Sequence, residues 1–418
     1  MKGLFTVIAL LFFFTACKES GVQLSKPSTF VKYYSDGNQD QAVDILETSD
    51  HGYLILSHSD STAGSGGINI TKTDLGGNVT WRKFIRRSKS SSSNDLRPSN
   101  FVSIKDNSGN DQGYVIVGTA LNIKFGASLF VMRINTDGSI KDSISHYTKF
   151  GNATSYRTGS GNYVLGKGVA QSSSSNNDIF VVGQMVGHDL VTPVSGGDMY
   201  FTQISGTTLD TLWTRTYGGG TSNLASRLYL DYSQTNAYWG GSRTDAQGTH
   251  MRFIKSGFNA QNTVFDLSYP VGDNSGYTGN DFCTYGYGYA FIGNHISAQE
   301  ISVARVGSEG DLIGSLANFT GSGLSLAGNS ICSTLDGGLL LLGTSTVDAQ
   351  GTNTDYYLIK VDGTGTKQWE ISHGGKYPDA GVRVLQSSDG GYVVLGTTTL
   401  ANVKTVVLMK TDLQGNIQ

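Results

Sequence analysis

Short apolar runs, four to seven residues long, alternate along this chain with turns rich in Gly and Asp. This is the pattern of antiparallel strands joined by tight hairpins. Near the C-terminus stands Ser388-Asp389-Gly390-Gly391-Tyr392-Val393-Val394-Leu395-Gly396-Thr397, and about fifty residues earlier Leu335-Asp336-Gly337-Gly338-Leu339-Leu340-Leu341-Leu342-Gly343-Thr344. Further copies centre on His51-Gly52-Tyr53, Gln112-Gly113-Tyr114 and Gly288-Tyr289, with degenerate ones at Asp178-Ile179-Phe180 and Ala237-Tyr238-Trp239. The spacing predicts seven units. Within each, an alternating run (382–385) ends in an Asp-Gly-Gly turn and an apolar run (392–395) returns from it. A third run (356–361) follows a variable loop, and after an Asp-x-x-Gly turn comes a fourth, often holding a tryptophan (368–371). Four strands per unit make a propeller blade.

The two ends of the chain complete one another. The seventh unit stops at Gly415-Asn416-Ile417-Gln418, where its fourth strand is due, and Thr29-Phe30-Val31-Lys32-Tyr33-Tyr34 aligns without a gap onto Gln368-Trp369-Glu370-Ile371-Ser372-His373. The expectation is an all-β, seven-bladed β-propeller of four-stranded antiparallel blades over 29–418, its ring closed by the N-terminal strand completing the last blade. Closure hides the two sheet edges that would otherwise invite aggregation.

Composition agrees with one large folded core. Of 418 residues, 38% are hydrophobic, 10% aromatic and only 5 are Pro, which excludes collagen-like and disordered classes. Gly supplies 56, and the repeated turns absorb most of the excess. Charged residues make up 15% and the net charge is -3, so there is no electrostatic footprint for nucleic acid.

Before the repeats, Met1-Lys2-Gly3 and the apolar run 4–14 read as a signal peptide (1–16), too short to span a bilayer. Phe14-Thr15-Ala16-Cys17 resembles the lipobox of bacterial lipoproteins, which implies acylation of Cys17 and a tether over 17–28. Lys18-Glu19 resembles, in abbreviated form, the export tag of surface lipoproteins in the Bacteroidota. With these features the Asp-Gly-Gly-Tyr repeats resemble the propeller lipoproteins of that group, mostly without assigned function. The resemblance implies an outer-membrane lipoprotein, surface-exposed or on the periplasmic side, held to the membrane through Cys17, with a monomeric domain. Cys283 and Cys332 form neither a metal-spaced cluster nor a disulfide framework, and two separate buried thiols are expected.

No catalytic residue, metal site or cofactor motif emerges. Asp74-Gly77-Trp81 and Asp362-Gly365-Trp369 come near quinoprotein dehydrogenase repeats but are one residue shorter, and sialidase Asp boxes place Asp and Trp closer together than here. The tryptophans and Phe30 are expected to fill the layers between blades. Long loops (86–100, 150–162, 270–281, 58–67, 185–198, 348–355) gather on one face, where binding sites concentrate. On that face Phe150, Tyr156, Tyr269, Tyr277 and Tyr377 are candidate stacking groups for sugar rings, and Arg86 and Arg87, with Arg82, Lys89 and Arg97, a basic patch for an acidic partner. The inner-strand segments 43–47, 331–334 and 382–386 read as apolar and neutral, which favours a binding or scaffold module for a protein or polysaccharide. The alternative is an extracellular glycan hydrolase or lyase with its site at the channel mouth.

Overall fold

The computed structural model describes residues 28–60, 66–86, 95–122, 126–146, 163–173, 176–186, 197–219, 222–258, 262–270, 276–321, 325–348 and 350–417. They form a seven-bladed β-propeller. The closing strand β1 (Phe30–Tyr34) comes first, and blade 1 follows as β2 (Gln39–Glu47), β3 (Tyr53–Asp60), β4 (Gly67–Thr73) and β5 (Val79–Ile85). Blade 2 is β6 (Asp95–Lys105), β7 (Asp111–Asn122), β8 (Gly126–Ile134) and β9 (Ile140–His146). Blade 3 is β10 (Tyr163–Gln171), β11 (Ile179–Val186), β12 (Asp198–Ile204) and β13 (Thr211–Tyr217). Blade 4 is β14 (Ser222–Leu230), β15 (Asn236–Asp245), β16 (Gly248–Gly257) and β17 (Thr263–Tyr269). Blade 5 is β18 (Tyr277–Tyr285), β19 (Gly288–His295), β20 (Glu300–Gly307) and a short β21 (Ala317–Phe319). Blade 6 is β22 (Leu326–Ser333), β23 (Leu339–Thr346), β24 (Thr354–Val361) and β25 (Lys367–His373), and blade 7 begins with β26 (Asp379–Gln386), β27 (Tyr392–Leu400) and β28 (Val403–Thr411).

Blade 7 is finished by β1, which pairs antiparallel with β28 from Phe30↔Lys410 to Tyr34↔Val406. The ring therefore closes as its ends foretell. The core lies between blades, where the second and third strands are covered on both sides. Leu54, Leu56, Ile68 and Ile70 of blade 1 meet Ile116, Phe130 and Met132 of blade 2, and Leu340, Leu342 and Leu358 of blade 6 meet Val384, Val394 and Met409 of blade 7. Two-sided burial explains why these strands read as continuous apolar runs.

The turns are built by specific contacts. In the Asp-x-x-Gly turns the Asp caps the loop, as where Asn78 N donates to Asp74 at 2.8 Å. The Gly does more than supply a positive φ. A Cβ at Gly77 (φ 76°) would lie 2.7 Å from the Phe30 ring of the preceding blade, one at Gly138 (φ 78°) 2.6 Å from Trp81, and one at Gly415 (φ 80°) 2.9 Å from Trp369. Fourth-strand aromatics thus sit on the next blade's glycine, filling the layer between blades. In the Asp-Gly-Gly turns the Asp holds a buried lysine of the third strand: Lys72 Nζ lies 2.9 Å from Asp50, Lys360 Nζ 2.9 Å from Asp336, and Lys410 Nζ 2.5 Å from Asp389. Burial opposes the charge on Asp50, but hydrogen bonds from Thr48, Lys72 and Gly52 outweigh it and hold the pKa at about 2.

The 1–2 and 3–4 turns of every blade point to one face, here the turn face; the 2–3 and blade-to-blade connections form the opposite loop face. Among the described residues no helix is long and apolar enough to cross a membrane.

Candidate functional site

Two regions gather polar chemistry: the central channel and a cleft between blades 6 and 7. Every innermost strand is interrupted at the equivalent place, between Ala42 and Asp44, Pro98 and Asn100, Gly166 and Gly168, Ala225 and Leu228, Gly279 and Asp281, Gly328 and Ser330, and Gly381 and Arg383. Such a bulge re-aims the side chains that follow it. Asp44, Arg227, Asp281 and Arg383, from blades 1, 4, 5 and 7, thereby meet across the axis. Arg227 lies 3.3 Å from Asp44 and 3.2 Å from Asp281; Arg383 lies 3.4 Å from Asp44 and also binds Asp281. The four alternate in sign around a closed loop.

All four carboxylate oxygens are engaged. Asp44 Oδ1 faces both guanidiniums and accepts from Ile45 N at 3.0 Å, while its Oδ2 accepts from Asn100 Nδ2 at 2.6 Å. Asp281 Oδ1 faces Arg227, and its Oδ2 accepts from Arg383, from Ser330 Oγ at 2.9 Å and from Ile331 N at 3.3 Å. Asn100 Oδ1 in turn accepts from Val169 N of blade 3 at 3.0 Å. For Arg227, burial works against the charge, and the two carboxylates raise its pKa above the usual guanidinium value. At the same level Lys167 stands in the β10 bulge, its pKa lowered by burial. The expectation of apolar and neutral inner segments at 43–47 and 382–386 is corrected here. Asp44 and Arg383 lie inside those segments, and the bulges turn them onto partners in other blades.

The second region is a cleft of about 250 Å³ in the seam between blades 6 and 7, reaching the loop face through the segment 374–378. Tyr33 of β1 is 57% exposed and Tyr377 41%, and Lys376 Nζ sits 5.8 Å from the Tyr377 ring. The cleft wall carries His373, Tyr356 and Asp379. Burial raises the Asp379 pKa despite a hydrogen bond with Thr398. The Tyr356 hydroxyl is buried beside the Asp379 carboxyl, and burial raises its pKa. Unlike the channel, this region presents open aromatic surface.

The other sequence candidates scatter. Tyr269 is 5% exposed and its hydroxyl donates to the Gly310 carbonyl, as Tyr34 donates to Gly77 O at 2.7 Å; burial raises its pKa to about 12. Tyr277 is equally buried and stacks on His295 at 4.4 Å. Both are interblade packing groups, and neither offers a free ring to a sugar. Arg86 is exposed and lies 5.9 Å from the Phe84 ring, while Arg82 pairs with Asp36 and Arg97 with Asp95. Cys17, Phe150, Tyr156, Arg87 and Lys89 lie outside the described residues. Cys283 and Cys332 are separate free thiols, and burial pushes Cys332 up to about 12.

One further cluster, His58, Asp60 and Asp95, has the residue types of a metal centre. Its geometry differs: His58 Nε2 lies 2.8 Å from Asp95 and Nδ1 3.7 Å from Asp60, so the carboxylates approach opposite edges of the ring. That suits an imidazole tying blade 1 to blade 2 better than ligands converging on one ion.

No family model matches the chain, and no curated protein matches it. Similar solved structures include quinohemoprotein alcohol dehydrogenase from Comamonas testosteroni (TM-score 0.49, 10% identity, covering 89% of this chain and 68% of that one). Hydrazine synthase from Kuenenia stuttgartiensis is similar too (TM-score 0.48, 10% identity, 93% and 97% covered), as is Trypanosoma rangeli sialidase in complex with the inhibitor DANA (TM-score 0.42, 10% identity). The last alignment covers 78% of this chain and 56% of the sialidase. Likenesses at this level carry no argument about activity.

Proposed function

We propose that this chain is an exported β-propeller, anchored by lipid at Cys17, that serves as a binding or scaffold module, with the cleft between blades 6 and 7 as its ligand site. The observation that carries the reading is the pairing of two open tyrosine faces, Tyr33 and Tyr377, with the polar wall groups His373 and Asp379 in one cleft. Aromatic faces pack on the apolar side of a sugar ring while hydroxyl and carboxyl groups bind its edge, so a polysaccharide is the favoured ligand class. The glycan hydrolase or lyase reading requires a carboxyl free to exchange a proton with substrate. Asp44 and Asp281 each face two guanidiniums, which weighs against it.

The test is a glycan array on the mature domain, followed by titration of the best oligosaccharide against Tyr377→Ala and Tyr33→Ala. Each substitution is expected to weaken binding about tenfold, the loss of one stacking contact worth roughly 1.4 kcal/mol. Released product would overturn the module reading, and unchanged affinity in both variants would overturn the cleft.

A further inference from the structure

The turn face looks featureless in sequence, since tight Asp-Gly turns leave little room for a ligand. Yet three consecutive blades place a large apolar or aromatic side chain at the tip of the 1–2 turn. Tyr232 in blade 4 is 104% exposed, Tyr287 in blade 5 is 103% exposed and Leu335 in blade 6 is 82% exposed. Folding leaves all three in water, so the fold itself gives no reason for their character. Their neighbours in sequence are held firmly: Asp231 accepts from Thr235 N at 2.8 Å and Asn236 N at 3.0 Å, Tyr285 donates to Gly363 O at 2.9 Å, and Leu335 N donates to Gln386 Oε1 at 2.7 Å. The tips are presented by rigid turns.

Strand polarity relates these tips to the chain's leader. β28 runs toward the turn face, ending at Thr411 before the Asp412–Gly415 turn, and β1 is antiparallel to it, with Phe30 opposite Lys410. The chain therefore enters the propeller from the turn face. Between Cys17 and Ser28 a fully extended chain spans at most about 40 Å.

We infer that the turn face lies against the lipid surface, with Tyr232, Tyr287 and Leu335 seated at its polar–apolar boundary and the loop face directed away. This rests on the proposed acylation of Cys17. Tyrosine suits that boundary because its ring is apolar and its hydroxyl stays wet. Asp74, Asp106 and Asp137 stand exposed in turns of the same face and give it negative charge. The surface it fits is therefore neutral lipid, and anionic lipid should repel it.

The test uses the full acylated protein on phosphatidylcholine vesicles containing nitroxide-labelled lipid. A polarity-sensitive fluorophore is attached through Tyr287→Cys in one variant and Tyr377→Cys in another, with the unsubstituted protein as labelling control for the buried Cys283 and Cys332. The label at 287 should be quenched several-fold more than that at 377, and replacing a third of the lipid by phosphatidylglycerol should reduce the difference. Protein that sediments with the vesicles but shows equal quenching, or more at 377, overturns this orientation and leaves the anchor standing. Protein that does not sediment overturns the anchor and this inference with it.

Discussion

The channel and the blade 6–7 cleft use similar chemistry to opposite ends. In the channel, two aspartates and two arginines pair with one another, with Asn100 and Ser330 also bonded to the carboxylates. In the cleft, burial raises the pKa of Asp379, and the rings of Tyr33 and Tyr377 stay in solvent. The first arrangement locks four blades together. The second leaves two aromatic faces uncovered. Convergence of carboxylates therefore does not by itself mark an active site; what decides is whether the protein has already supplied their partners.

The largest effect is expected where the two regions depend on one element. β1 closes the ring and also lines the cleft with Val31 and Tyr33. Deleting 29–34 should expose the β28 edge and give aggregated or protease-sensitive protein; a monomer with an unchanged melting temperature would show that the closure does not matter. Next comes the channel. Asp281→Ala leaves two guanidiniums sharing the single Asp44 carboxylate in a confined site and should cost about 3–5 kcal/mol by urea denaturation. Adding Arg383→Met should cost less than the sum of the singles by about 1–3 kcal/mol, since Asp44 and Arg227 remain as a neutral pair. Neither variant should alter ligand affinity, whereas Tyr377→Ala should change stability by no more than about 0.5 kcal/mol. If Asp281→Ala abolished binding in still-folded protein, the division between the two regions would fail.

The smallest effect is the pH response, and its sign separates the turn carboxylates from the buried carboxyls, Asp379 of the cleft among them. Asp50, at about 2 when folded against an ordinary ~3.9 when unfolded, stabilises the fold above about pH 4, a contribution lost as pH falls through 2. The lowered Asp336 acts in the same direction, and solvent screening keeps both contributions modest. Asp379 and Asp40 are raised by burial, so their charged forms oppose folding at neutral pH and the penalty fades as pH drops toward 4. Asp379→Asn should thus raise the melting temperature at pH 7 and leave it unchanged near pH 3, while Asp50→Asn should flatten the loss between pH 4 and 2.

The strands, the seven blades and the split seventh blade are legible in sequence because each rests on local grammar repeated along the chain. The turn lysines are legible too: a basic residue two places before the third-strand turn recurs as Lys72, Arg133, Lys360 and Lys410. For the three lysines the partner is the Asp of the preceding hairpin, so the Asp-Gly-Gly motif is half of a longer one, whereas Arg133 pairs with Asp142 of the fourth strand. A Cβ at Gly338 would lie 2.2 Å from the Val361 carbonyl and 2.4 Å from Lys360 Nζ, and one at Gly52 2.1 Å from the Thr73 carbonyl, so the third-strand backbone leaves no room for a side chain at the motif's second Gly. The channel ring was not legible. Arg227 and Asp44 are 183 residues apart, and a bulge in each strand breaks the two-residue alternation by which facing side chains are assigned. Loop-face candidates fared unevenly for a related reason. Tyr269 and Tyr277 flank a long loop in sequence, but as strand-end residues they are claimed by the neighbouring blade, whereas Tyr377 lies in a connection outside any strand.

The split blade also orders events in time. Phe30 finds Lys410 380 residues further along the chain, and the backbone groups that β28 offers to β1 do not exist until the other six blades have been made. A contact of such long range is slow to form. Six blades can assemble in sequence as the chain emerges, each on the last, but the first strand to appear must wait as a free end for the final one. Ring closure is then a single late step, and until it occurs the molecule is a curved stack with two open edges. A chaperone that holds the segment around β1 extended would serve this fold better than one that speeds the folding of any blade.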